Sequence, residues 1–341
     1  MIRKVLLAVA GLFLIFVIWN AELIIYGIGQ AYGQIKIIMQ ARPVEEILRD
    51  DSVNDEIKEK LILVNKIKAW AIIELGLNPT RNYTTMYDQK GKPVLWVVRA
   101  CDPFRLSNKE WHFPVIGTVS YKGFFNVKKA IKLRDQLKEE GYDTYLREVD
   151  AWSTLGWFKD PIMSEMLRDT PGDMANTVIH ELTHATIFVK DSLTFNENLA
   201  SFIGDKGAET FLTSIYGDAS ALLQDYIDAK RDRQRYSDHF ILGAQKLDSL
   251  YASFSDGSTE TYKINKKMQM IRMIVDALDT VSFNNSDFKR KFEKQLPNNA
   301  YFMSFLLYRS GQSDLNAILN KNFGGNLVEM ISSMKRKYPQ N

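Results

Sequence analysis

The chain is 341 residues long and 45% hydrophobic, with a formal net charge of +3 from 44 basic against 41 acidic residues. Those charges are scattered rather than gathered into a basic stripe interleaved with aromatics, which argues against a nucleic-acid partner. A single cysteine, Cys101, excludes an intramolecular disulfide and reads as a buried small residue.

Arg3 and Lys4 precede an almost uncharged apolar run from Val5 to Trp19, and after Asn20 and Glu22 comes a second one, Leu23 to Tyr26. The pattern predicts an N-terminal transmembrane signal-anchor over residues 1–26. Placing Ala21 at the end of a cleavage site would put bulky Trp19 where a small residue is needed, so the anchor is expected to be retained. Positive charge before it places the N-terminus in the cytoplasm and the body in the periplasm or exterior.

A helical segment is expected over residues 27–80, with a short helix from Ala41-Arg42-Pro43 and a longer one capped at Ser52-Val53-Asn54-Asp55 and ending near Leu75-Gly76. Residues 81–160 are expected to form a sheet-containing lobe. Tyr83 to Tyr87 and Val94 to Arg99 are β-prone runs separated by a turn sequence of hairpin length, Asp88 to Pro93. Phe113 to Tyr121 is a third run, an amphipathic helix follows from about Asn126 to Glu140, and Tyr142 to Val149 returns as a strand. Beyond Asp150 the strand signal nearly vanishes, and residues 161–341 read as a helical lobe with apolar residues at three- and four-residue intervals. The expected fold class is therefore α+β and zincin-like: a small mixed β-sheet lobe followed by a mainly helical lobe, behind a transmembrane anchor.

Chemistry concentrates after Thr170-Pro171-Gly172-Asp173, a strong helix start in which Thr170 caps, Pro171 fits the first helical position and Asp173 favours the positive end of the dipole. The helix then carries His180-Glu181-Leu182-Thr183-His184. At 3.6 residues per turn the two histidines share one face, so both imidazoles can reach one ion while the Glu181 carboxylate stands beside them as a base. Glu197, at the start of the next helix, is the candidate third ligand; Ala200, Ser201 and Gly204 after it are small enough to let two helices approach closely. Thr194-x-x-Glu197 also reads as a capping box. Ser201 and Asp205, one and two turns after Glu197, are candidates for orienting a ligand histidine, Asp205 the preferred one, or for an exposed or capping role. Tyr121, ending a strand, is a candidate donor to an oxyanion, or a half-buried strand aromatic. His112 and His239 have no partner at ligand spacing and read as structural. Trp152, Trp157 and Phe158 read as core aromatics or the lining of a substrate pocket.

With these motifs the chain resembles the membrane-associated or lipoprotein aminopeptidases of bacteria, a gluzincin-type group. The resemblance covers nearly the whole chain after the anchor and extends to Ala41-Arg42-Pro43, Leu77-Asn78-Pro79, Tyr121-Lys122-Gly123-Phe124-Phe125, Trp152 to Phe158, Asn196-Glu197-x-x-Ala200-Ser201 and Pro297-Asn298-Asn299-Ala300. It implies Zn2+ bound by His180, His184 and Glu197, Glu181 as base, and a peptide or protein substrate. Two departures stand out: there is no cysteine near the N-terminus to carry a lipid, and the interval from His184 to Glu197 is shorter than in the thermolysin-like families. Lys190, where a metzincin has its third histidine, excludes that pattern. The rival expectation is a membrane-anchored zinc-containing binding or envelope-maintenance protein without turnover, which would have no use for Glu181.

Overall fold

The computed structural model describes residues 3–4, 18–113, 117–149, 159–190, 192–290, 292, 295–306 and 312–338. Helix α1 spans Ala21–Gln40, strand β1 is Arg42–Pro43, and α2 (Val44–Arg49) and α3 (Asp55–Glu74) follow. Asn54 caps α3 by accepting the Glu56 N–H at 2.8 Å. The middle of the chain holds β2 (Thr85–Tyr87), β3 (Leu95–Cys101), β4 (Trp111–Phe113), β5 (Gly117–Val119), β6 (Lys122–Phe124), α4 (Val127–Glu139), β7 (Asp143–Val149) and β8 (Ile162–Met163). Helices then dominate: α5 (Pro171–His184), α6 (Leu193–Tyr216), α7 (Ala221–Ala252), α8 (Glu260–Asp276), α9 (Asn299–Leu306), α10 (Gln312–Phe323) and α11 (Leu327–Lys337).

Among the described residues this is a helix-rich mixed architecture with three small sheets, which corrects the expectation of one small mixed sheet lobe followed by a mainly helical lobe. β2 does not form a hairpin with β3. It pairs antiparallel with β1 and parallel with β8, a strand lying beyond the point where strand signal fades. β3 is the centre of a second, antiparallel sheet between β6 and β7. The run from Phe113 to Tyr121 is not one strand: it holds the last residue of β4 and the whole of β5, which pair antiparallel with Trp111 opposite Val119. Pairing partners distant in sequence leave no local trace, because period-two alternation shows a strand but not its neighbour.

The transmembrane anchor is also corrected. Among the described residues no helix is long and apolar enough to cross a membrane. Leu23 to Tyr26, expected to complete a span, belongs to α1, which lies against the protein: Tyr26 Oη and Gln30 Nε2 donate to the Gly123 carbonyl at 3.0 and 2.9 Å. The Tyr26 ring stacks on Phe113 at 5.4 Å, and Gly33 makes room for the Phe125 ring. Residues 5–17, most of the first apolar run, lie outside the described residues, as do Trp152, Trp157 and Phe158.

One large core joins Ile37 of α1, Leu61, Val64 and Ile67 of α3, Leu95 and Val97 of β3, and the inner faces of α5, α6, α10 and α11. A second, aromatic core gathers Tyr236 and Phe240 of α7, Ile271 and Ile274 of α8, and Tyr301 and Phe302 of α9. Asn299 stitches this helical side to the sheet: its amide donates to the Asp102 and Pro103 carbonyls, its backbone N–H to Asp143, and it accepts from Tyr251. The buried ammonium of Lys267 meets the same Asp143 at 2.5 Å.

Candidate metal centre

Helix α5 starts where its sequence says it should, with the Thr170 hydroxyl accepting the Asp173 N–H at 3.2 Å and Pro171 in the first turn. Met174, Ala175, Val178, Ile179 and Leu182 bury one face of it. His184 is nearly enclosed and His180 is half-buried. The end of α5 is tied down by Thr186, whose hydroxyl donates to the Leu182 carbonyl at 2.6 Å and accepts the Asn78 N–H at 2.9 Å.

Helix α6 packs against α5 almost backbone to backbone. A Cβ at Gly204 would stand 3.0 Å from the Asn176 carbonyl and 3.2 Å from the His180 Cβ, and one at Gly207 2.9 Å from Ile179. Ala200 and Ala208 are fully buried. The short link between the helices is closed by Asn196, whose amide both accepts the Val189 N–H and donates to the Val189 carbonyl, each at 2.8 Å. α6 begins at Leu193, after Ser192, so Thr194 is already inside the helix and is not its cap; Glu197 stands in the second turn rather than the first.

These packing choices bring His180, His184 and Glu197 together. Their ligand-type atoms all lie within 4.8 Å of one another, and among the described residues they are the one such group of three. The two Nε2 atoms face each other at 3.1 Å, with Glu197 Oε2 3.7 Å from His180 and Oε1 3.5 Å from His184. Burial, aided by the neighbouring His184, pushes His180 down to about 3, and burial pushes His184 down to about 4. Both imidazoles are therefore neutral near neutral pH, the form that ligates a metal, and their contacts with Glu197 are not ion pairs. Burial pushes the Glu197 carboxyl above its ordinary value. Of two neutral Nε2 atoms at this separation at most one can donate to the other, so at least one lone pair points into the group. Two imidazoles and a carboxylate converging from two rigid helices fit a zinc ion with an open position.

Glu181 is half-buried on the same helix. Its carboxylate lies near enough to Tyr83 to help raise that hydroxyl well above its usual range, after burial and together with Asp160. Tyr83 escaped the sequence reading, where it counted as a strand residue. It precedes β2 with a left-handed φ of 64°, its N–H donating to the Asp160 carbonyl at 2.8 Å. No sequence signal marks a tyrosine for such a backbone.

Tyr121 follows β5, with the Arg99 guanidinium 5.4 Å from its ring centre and Tyr26 near it. Asp205 orients no histidine directly; it accepts from Asn176 at 2.6 Å and from Tyr226 at 3.1 Å and meets Lys230 at 3.6 Å. Asn176 is one turn before His180, so this network braces the ligand helix. His239 donates to the Ile274 carbonyl at 2.7 Å, and His112 lies 3.0 Å from Thr118 across the β4–β5 pair.

One nearly enclosed and one half-buried histidine and a glutamate thus converge from two tightly packed helices, with a further glutamate inside the histidine repeat. A model of the family described as "Putative aminopeptidase" matches residues 26–338, and the chain belongs to that family. No curated protein and no solved structure matches it.

Proposed function

We propose that this protein is a zinc-dependent peptidase that hydrolyses peptide bonds with water, an aminopeptidase in keeping with the family's name. The observation that carries the reading is the convergence of His180, His184 and Glu197 within 4.8 Å, with Glu181 on the same helix. A zinc ion held by those three side chains would polarise a peptide carbonyl and acidify a water. Glu181 is the base that takes the proton of the attacking water and returns it to the leaving amine. The α5–α6 packing holds the three donors in register, so little rearrangement opposes binding. Two histidines and a glutamate that leave a position for water are the donor set of a catalytic rather than a structural zinc site. Donation to the oxyanion by Tyr121 belongs to this reading, and Tyr121→Phe with undiminished activity would remove it.

The test is metal content and hydrolysis of a mixed peptide library by the purified full chain, beside His184→Ala and Glu181→Gln. Zinc at about one per chain, lost in His184→Ala and kept in Glu181→Gln without cleavage, is the expected result. Cleavage at N-termini would uphold the aminopeptidase assignment and internal cleavage would replace it. A wild-type chain that binds no metal would sink the proposal.

A further inference from the structure

Where α1 lies against β6, a cavity of about 820 Å3 opens between α1, the sheet and α4. Its size is that of a site for one small molecule, on the order of 300–1,000 Å3. Its charge is lopsided. Lys36, Lys92, Lys122, Lys129 and Lys132 line it, against one carboxylate, Glu22. Glu22 is already engaged by Lys122 at 3.2 Å. Lys36, Lys92, Lys129 and Lys132 have no carboxylate within ion-pair distance among the described residues, although acidic residues are about as common as basic ones in the chain. The N-terminus of α4, at Asn126, forms part of the same wall and has no acidic residue in its first turn, so the positive end of its dipole adds to the lysines.

The walls between these cations are apolar: Ile25 and Tyr26 from α1, Trp96 and Phe124 from the sheet, and Leu133 from α4. An extended peptide is disfavoured there, because adding a strand to β6 requires its outward backbone, and the Gly123 carbonyl is taken by Tyr26 and Gln30. Uncompensated lysines at the rim over aromatic and aliphatic walls suit a ligand with an anionic head and a hydrocarbon body.

We infer that this cavity is a binding site for a single-chain amphipathic anion, its carboxylate or phosphate head held by the rim lysines and its chain lying between α1 and the sheet. The site is separate from the histidine cluster and does not depend on the peptidase reading. The test is titration calorimetry of the full chain with dodecyl phosphate, kept below its micelle concentration, beside inorganic phosphate, dodecyltrimethylammonium and an acidic peptide. Variants are Lys129→Glu/Lys132→Glu, which reverses two exposed rim charges, and Ile25→Glu on the exposed side of α1, each checked for unchanged circular dichroism. Saturable one-to-one binding of dodecyl phosphate is expected, weakened at least about tenfold by either variant. No saturable binding, or affinity unchanged in both folded variants, would overturn the assignment. So would equal affinity for inorganic phosphate, for the cationic amphiphile or for the acidic peptide.

Discussion

Around α5 and α6 the helices approach over small residues: Gly204 lies against the Asn176 carbonyl, Gly207 leaves room for the Ile179 side chain, and Ala200 and Ala208 are buried. Around α7 and α9 the space is filled by rings, with Phe240 stacked on Phe305 at 5.2 Å and edge-on to Tyr301 at 5.4 Å, and with the Tyr236 and Tyr301 hydroxyls paired at 2.8 Å. The first arrangement has little freedom, because moving a backbone moves every donor attached to it. The second draws its strength from buried area and is far less tied to any one atom's position. The proposed metal donors, His180, His184 and Glu197, sit on the first kind of scaffold.

The comparison is sharpened most by Glu181→Gln, which changes the chemistry without changing the packing. On the proposed mechanism peptide hydrolysis should fall by about 10²–10⁴-fold with zinc content and thermal stability unchanged, measured as kcat/KM on a cleaved library peptide. Phe240→Ala should do the reverse. Its side chain is fully buried, and its loss should cost ~3–5 kcal/mol in urea unfolding while metal content and kcat of the folded enzyme stay as they were. A large fall in kcat would mean that the aromatic core does shape the site. Gly204→Val would press on the Asn176 carbonyl and the His180 Cβ. It should cost ~1–3 kcal/mol and, unlike Phe240→Ala, also weaken zinc affinity in competition with a chelator. The smallest effect concerns Cys101, which is buried with its thiol pushed up to about 12 by that burial. At pH 8 the thiol stays protonated, so iodoacetamide should label the native chain far more slowly than the urea-unfolded one, as read by mass spectrometry.

The parts of the site that were legible in advance are those built by local geometry. His184 stands four positions after His180, and a capped helix turns that interval into a shared face whatever the rest of the chain does. Thr170 and Pro171 announce where that helix starts, and Gly204 and Ala200 announce that another helix comes close. Glu197 was legible only in part: its residue type and nearness in sequence suggested a ligand, but its approach to the imidazoles depends on the link held shut by Asn196 on Val189. Nothing in the order of residues placed Tyr83 beside Glu181, or gave Asp205 to Asn176 and Tyr226 instead of a histidine.

The same division separates α1 from the segment that hydropathy suggested. An apolar stretch such as Leu23 to Tyr26 reports that its side chains leave water, not what they meet instead; here Tyr26 meets Phe113 and the Gly123 carbonyl. Strand pairing is decided in the same way, since β2 finds β1 and β8 rather than the β3 that follows it. What the sequence by itself determined is the helix that carries His180, Glu181 and His184, because hydrogen bonds four residues apart and a cap beside the first turn are local. The tertiary structure alone decided the meeting of that helix with Glu197, the company of Tyr83 and the docking of α1, because each depends on groups that only folding brings within contact distance.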